Sequence, residues 1–173
     1  MALSLARRES ADKAAKVASQ FDNLVKRVIN TRCTGKFLAG DELEFSVNSG
    51  KELGGEISGD ALKVLRTVLG DFTAMLYGLD ENGKHPGFLV HDSPRQADMS
   101  LSWYQRLLIQ AAEKSENSGG KDQAPFQYII TTTTAPPENL KQYVRKEFAS
   151  VPPEMLLFKK RLTPMQGELS DTP

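Results

Sequence analysis

The stretch Pro86–Arg95, PGFLVHDSPR, decides how the rest of the chain is read. Phe88, Leu89 and Val90 form a short apolar run that ends on His91, Asp92 and Ser93, and Pro94 follows at once. An apolar run of this length, bounded by turn residues, predicts a short, fully buried strand. In open parallel sheets ligands bind outside the carboxyl ends of the strands, so an acid at the last strand position points where a cation or phosphate would sit. Magnesium takes carboxylate oxygens, water and substrate phosphates, and a single strand-end Asp is a sufficient protein share. The same residues equally suit an ordinary turn, with Asp92 capping the strand and Ser93 and Pro94 supplying turn chemistry. His91, Asp92 and Ser93 do not compose a hydrolase triad, because consecutive strand residues point to opposite faces.

Working outward, residues 5–29 carry no Gly or Pro. Ala14, Val17, Ala18, Phe21, Leu24, Val25, Val28 and Ile29 recur at helical steps. One apolar stripe between solvated faces predicts an amphipathic helix, packed on its own domain or forming the end of a coiled coil. Leu43, Phe45 and Val47 then alternate with Glu44 and Ser46, which predicts a half-buried strand in an antiparallel ribbon. ISGDALKVLRTVLGDFTAMLYGL reads as a helix, with Ser58 as N-cap and Asp60 in its first turn. LSWYQRLLIQAAEK is a further helix, and FQYIITTTT a second buried strand, rich in β-branched residues. PENLKQYVRKEF reads as a short helix and EMLLFKKRL as a final strand, with a disordered tail over 163–173. Alternating strands and helices predict α/β layers with a largely parallel sheet.

Composition narrows the function classes. Lys plus Arg and Asp plus Glu both number 22, so net charge gives no case for nucleic-acid binding. The single cysteine, Cys33, excludes a disulfide framework and suits a reducing cytoplasm. One Cys and two His at no recognised spacing do not make a zinc site. No apolar run reaches the length of a membrane span, and MALSLARRES does not read as a signal peptide.

Phosphate-gripping loops fare little better. Gly54, Gly55, Ser58 and Gly59 precede a helix, where free N–H groups favour an anion, but a flexible turn with a Ser cap has the same composition. ENSGGKDQ fails as a Walker A loop, since the position five before its Gly-Lys pair is Ser115 and the one after it is Asp122. Thr131–Thr134 close the second strand, where hydroxyls can orient water or phosphate or merely satisfy the strand end. His85 reads as exposed, and Trp103 and Tyr104 as packing residues.

The order of these parts is more telling than any one of them. It resembles the C-terminal half of an ABC-type ATPase head, and most nearly that of SMC-like coiled-coil ATPases of chromosome maintenance and double-strand-break repair. SGDALKVL resembles the signature motif, FLVHDSP the Walker B strand, RQADMS the D-loop and IITTTT the switch region. The resemblance spans roughly Phe21 to Leu162, and HDSPR with ADMS is its most specific part. It implies residues 1–31 as the end of a coiled coil and 32–162 as the C-terminal half of a three-layer head. Asp92 is then the Walker B carboxylate that holds magnesium through water. Ser58 and Gly59 would contact the γ-phosphate of ATP on an opposing head, Asp98 would lie in the D-loop, and Thr132 would occupy the switch position. Magnesium and ATP are implied only in a complex with a Walker A-bearing half or partner chain. That complex would close as a head-to-head dimer, with DNA contact possible through the assembly and no membrane.

The departures are specific. Ser93 stands where the family carries a catalytic Glu, and a serine cannot take up a proton at neutral pH. A register shifted by one would make Asp92 the base and put His91 at the metal position, leaving Pro94 out of place. Asp60 replaces the second signature Gly, Thr132 the usual His, and Asp98 falls one residue early. These departures fit a divergent bacterial branch in DNA repair, chromosome maintenance or phage defence. They also fit an inactive remnant head serving as a protein-interaction module. An unrelated α/β enzyme using Asp92 with magnesium is the third reading.

Overall fold

The N-terminal stripe forms α1 (Ala2–Val28), whose Val17, Phe21, Leu24, Val25 and Val28 are buried together with Ile29 just beyond it. The computed structural model describes residues 2–40, 43–48, 59–80, 85–95, 99–117 and 125–149. From Ala6 to Lys16 the side chains of α1 are exposed except for half-buried Ala14, so the helix reaches its own core only from Val17 onward. Lys26 and Arg27 in the last turn suit the negative end of the helix dipole. There Arg106 donates to the carbonyls of Val28 (3.3 Å) and Ile29 (2.7 Å), groups a helix end leaves unpaired. A turn follows, closed by Cys33 N–H on the Asn30 carbonyl at 3.0 Å.

That turn delivers the chain into a ribbon of β1 (Thr34–Ala39) and β2 (Leu43–Asn48), antiparallel with Phe37 opposite Phe45. Phe45 and Val47 pack on the core as their alternation predicts, but Leu43 at the strand start is exposed. The Phe45 ring centre lies 4.7 Å from that of Phe21 and 5.0 Å from that of Phe37. The ribbon can approach α1 this closely because position 35 is glycine. A Cβ there would stand 2.7 Å from Phe21 Cδ1 and 3.0 Å from the Asp22 Cα. The Gly35 N–H donates to Asp22 Oδ1 at 2.9 Å, locking strand to helix.

α2 (Gly59–Asp80) and α3 (Leu101–Asn117) complete the helical layer. Ala61, Leu65, Val68, Leu69, Phe72 and Met75 of α2 are buried, as are Tyr104, Leu107 and Ala111 of α3. Burying an aliphatic or aromatic side chain fully contributes about 1.5–3 kcal/mol relative to exposure, so these stripes dominate the fold. β3 (Phe88–Asp92) and β4 (Gln127–Thr131) pair in parallel, with Val90 opposite Ile129 and Asp92 opposite Thr131. Gly87, at φ 76°, turns the chain into β3 through a conformation glycine adopts without strain. Phe72 meets Phe126 edge-on at 5.9 Å and Tyr128 at 5.5 Å, which fixes this sheet on α2.

The chain is therefore α/β, with a small antiparallel ribbon, a small parallel sheet and an N-terminal helix. The expectation of two fully buried strands is corrected. Neither strand of the parallel sheet is fully buried: Leu89 and Tyr128 face the core, whereas Phe88, Val90 and Ile129 are 53%, 52% and 42% exposed. Among the described residues one face of the sheet carries helices and the other is bare, and β3 and β4 pair only with each other. His85 is half-buried rather than exposed, and its Nδ1 accepts the Gly87 N–H at 3.2 Å. Residues 1–137 and 138–173 form two compact units. In the second, the expected short helix is a 3-10 helix over Glu138–Tyr143, while the strand expected at 154–162 and the tail lie outside the described residues. No helix among the described residues is long and apolar enough to cross a membrane.

Two stability predictions follow from the contact between α1 and β1. Gly35→Ala forces the Phe21 ring or the Asp22 backbone to move and should lower unfolding free energy by about 1–3 kcal/mol in urea titrations. The Lys26 hydrogen bond (2.6 Å) holds the Asp22 carboxyl below its ordinary pKa, aided by Gly35 N–H and the Lys26 charge and opposed by burial. A lowered folded-state pKa contributes stability that is present above the unfolded value and lost as pH falls through the folded one. The urea midpoint of the native protein should therefore exceed that of Asp22→Asn at neutral pH, and the gap should narrow below about pH 4.

Candidate functional site

Parallel pairing brings the ends of β3 and β4 side by side, and three polar residues meet there. Thr131 donates its hydroxyl to Asp92 Oδ1, and Ser93 Oγ lies 3.4 Å from the same oxygen, at the outer limit of a hydrogen bond. The ladder continues one residue further, with the Ser93 N–H on the Thr131 carbonyl at 2.9 Å. Ser93 then leaves the strand at φ 46°, the left-handed region that costs a residue with a Cβ. Asp92 is exposed and Pro94 behind it is buried, so the carboxylate is displayed at a firmly anchored corner.

Thr132 lies just past the end of β4, exposed, with its Oγ1 accepting the Thr134 N–H at 3.0 Å. Arg95 reaches across from the β3 side to the Thr134 hydroxyl at 3.1 Å. Beneath them the Tyr104 side chain is 0% exposed, and its hydroxyl makes no hydrogen bond of ordinary geometry. Burial raises the Tyr104 pKa, while the nearby Thr132 side chain and the Arg95 charge oppose that rise.

Asp92, Ser93 and Thr132 thus share one sheet end. Gly59 opens α2, exposed, with nothing within 4 Å of where a Cβ would stand. Asp60 follows it and pairs with Lys63 at 3.1 Å, which offsets its charge at the helix start. Ser58 and Asp98 lie outside the described residues. An open cleft of about 240 Å³ between β2 and α2, lined by Phe45, Arg66, Thr67 and Asp71 among others, is a separate feature. Among the described residues no group of three or more His, Cys, Asp or Glu gathers as metal ligands. The Asp92 end nonetheless offers oxygen donors alone, the set a hard cation with water and phosphate ligands prefers.

The opposite face of β3 holds a contact that no motif announces. His91 Nδ1 lies 2.8 Å from the Tyr128 hydroxyl and its Nε2 3.2 Å from Asp71 Oδ2. Burial pushes the Tyr128 phenol far above its usual range, with Tyr104 and Asp71 adding to the shift. Asp71 is twenty residues upstream on a helix, so only the alternation that turns His91 and Tyr128 inward could have hinted at this cluster. No protein-family model, curated protein or solved structure matches this chain.

The backbone at position 93 gives a test of this geometry. Ser93→Val puts a β-branched residue in the left-handed region and should cost about 1–3 kcal/mol. Ser93→Gly should leave stability equal or slightly higher, and thermal unfolding of the two variants separates backbone strain from loss of the hydroxyl.

Proposed function

We propose that this chain is the C-terminal lobe of an SMC-like, ABC-type ATPase head, contributing Walker B and signature elements to a nucleotide site completed by a Walker A-bearing half. The observation that carries this reading is the side-by-side arrangement of Asp92, Thr131 and Thr132 at the carboxyl end of two parallel strands. Among the described residues the parallel sheet has two strands and a bare apolar face, which supports the need for a second half, since parallel sheets are ordinarily covered on both faces. The exposed stretch of α1 from Ala6 to Lys16 agrees with residues 1–31 as the end of a coiled coil, and 32–162 would form the lobe itself.

Asp92 would hold magnesium through water, and the cation when bound would offset charge on the ATP phosphates. Thr131 orients the Asp92 carboxylate by donating to one oxygen, which turns the other outward. Thr132 stands beside it as the switch hydroxyl, and Arg95 adds positive charge where a phosphate would gather. Gly59 leaves the start of α2 open to the γ-phosphate on an opposing head, with Ser58 before it and Asp98 of the D-loop across the dimer interface. Ser93 can orient a water but cannot accept its proton at neutral pH, so turnover is slow unless a partner supplies the base. Phosphoryl transfer depends mainly on positioning and charge stabilisation, and this lobe supplies part of each. DNA repair, chromosome maintenance and phage defence in the cytoplasm set the biological range of the resemblance.

A second reading, a catalytically inactive head that binds protein alone, is favoured by Ser93 and Asp60. Co-purification of the Walker A partner, followed by phosphate-release kinetics, separates the two. Asp92→Asn in the assembled complex should lower ATP turnover at least about a hundredfold. Equal turnover in the two complexes refutes the Asp92 assignment, and absence of nucleotide binding by the complex establishes the interaction module.

A further inference from the structure

The contact under the sheet joins three elements at one imidazole. His91 sits one residue before Asp92 on β3, Tyr128 lies on β4, and Asp71 projects from α2. The His91 side chain is 14% exposed, with the Tyr128 ring edge-on to it at 5.5 Å and 84°. Donor and acceptor chemistry sets the direction of the chain. A carboxylate only accepts, so Asp71 draws the proton of Nε2–H. In a neutral imidazole that leaves Nδ1 with its lone pair, which accepts from the Tyr128 hydroxyl. Tyr128, partly buried and with its pKa raised by desolvation, is a phenol with its proton in place and matches that demand.

Past Tyr128 the polar chain continues toward the sheet end. The Tyr104 phenol is close enough to bear on Tyr128, and its buried hydroxyl lies next to the Thr132 side chain.

We propose that Asp71, His91 and Tyr128 form a positioning relay that ties α2 to the ends of β3 and β4 and thereby sets the geometry of Asp92 and Thr132. His91 and Tyr128 are positioning residues, since they lie on the face of the sheet opposite the Asp92 carboxylate. Because α2 begins at Gly59, the relay makes the helix that would touch an opposing head's nucleotide move as one body with the strand that holds the acid. This role rests on the ATPase reading of the site, whereas the relay itself does not.

The test uses the full 173-residue chain, isotopically labelled, with nitrogen NMR of the His91 ring and amide spectra of the strand end. His91 is expected in the Nε2–H tautomer. Tyr128→Phe removes one hydroxyl and should release that tautomer and shift the amide resonances of Asp92, Thr131 and Thr132. Asp71→Ala should do the same, and Asp71→Asn, which keeps an acceptor, should restore the native spectrum. A His91 ring in the Nδ1–H form, or strand-end amides indifferent to Tyr128→Phe and Asp71→Ala, overturns the relay. In the assembled complex Tyr128→Phe should lower kcat about tenfold at unchanged KM for ATP. A fall in thermal stability alone, with kcat intact, marks the cluster as mere packing. Should Asp92→Asn leave turnover untouched, the ATPase reading fails while the spectra still judge the relay.

Discussion

The parallel register of β3 and β4 is the constraint on which the candidate site depends. Side chains alternate along a strand, so a slip of one residue would turn Asp92 inward and expose His91 in its place. The register is held at both ends. Gln127 N–H reaches the Gly87 carbonyl at 2.7 Å before the first pair, and Ser93 N–H reaches the Thr131 carbonyl after the last. Between those bonds Leu89 and Tyr128 fix the inner face on the core, with Tyr128 against Phe72 of α2. The acid is displayed because Leu89 and Tyr128, each three positions before the sheet end, turn to the core.

Much of the fold is legible in the sequence, for a reason that particular residues make plain. The helical stripe from Val17 to Ile29 and that of α2 have many repeats, and each repeat adds to the same period. The short strands carry no such redundancy. Phe88, Leu89 and Val90 are consecutive and apolar, and three residues cannot distinguish a strand buried on both faces from one buried on a single face. Composition says that Phe88 and Val90 are hydrophobic but not what covers them. At the strand ends, the position of Asp92 is readable because it closes β3, and that of Thr132 because it follows the β-branched run of β4. The link from Asp71 to His91 is not, since its two ends meet only once helix and sheet have packed.

Two kinds of force divide the labour in this molecule. The interior is fastened by area, through Phe21, Phe45, Phe72 and Phe126, and by a glycine small enough to let β1 lie on α1. The exposed strand end is held instead by directional bonds from Thr131, Ser93 and Arg95, which are individually weak in water but specify where each oxygen points. A site built that way is exact in orientation while its surroundings remain open to solvent, an arrangement that suits a surface awaiting further contacts. The outer face of Phe88, Val90 and Ile129, bare among the described residues, lies on the same short sheet, so a contact on that face bears directly on the geometry of the acid.

Cys33, the sole thiol of the chain, occupies the turn between α1 and β1 and is fully buried, with its pKa raised by desolvation. A thiol in that setting is unreactive until the surrounding structure opens. Its rate of alkylation by a small reagent is therefore a built-in clock for breathing of the joint between helix and ribbon. The native sequence carries this reporter without any engineered label, so mechanical loosening at the base of the N-terminal helix can be timed in the same molecule whose chemistry is being assayed.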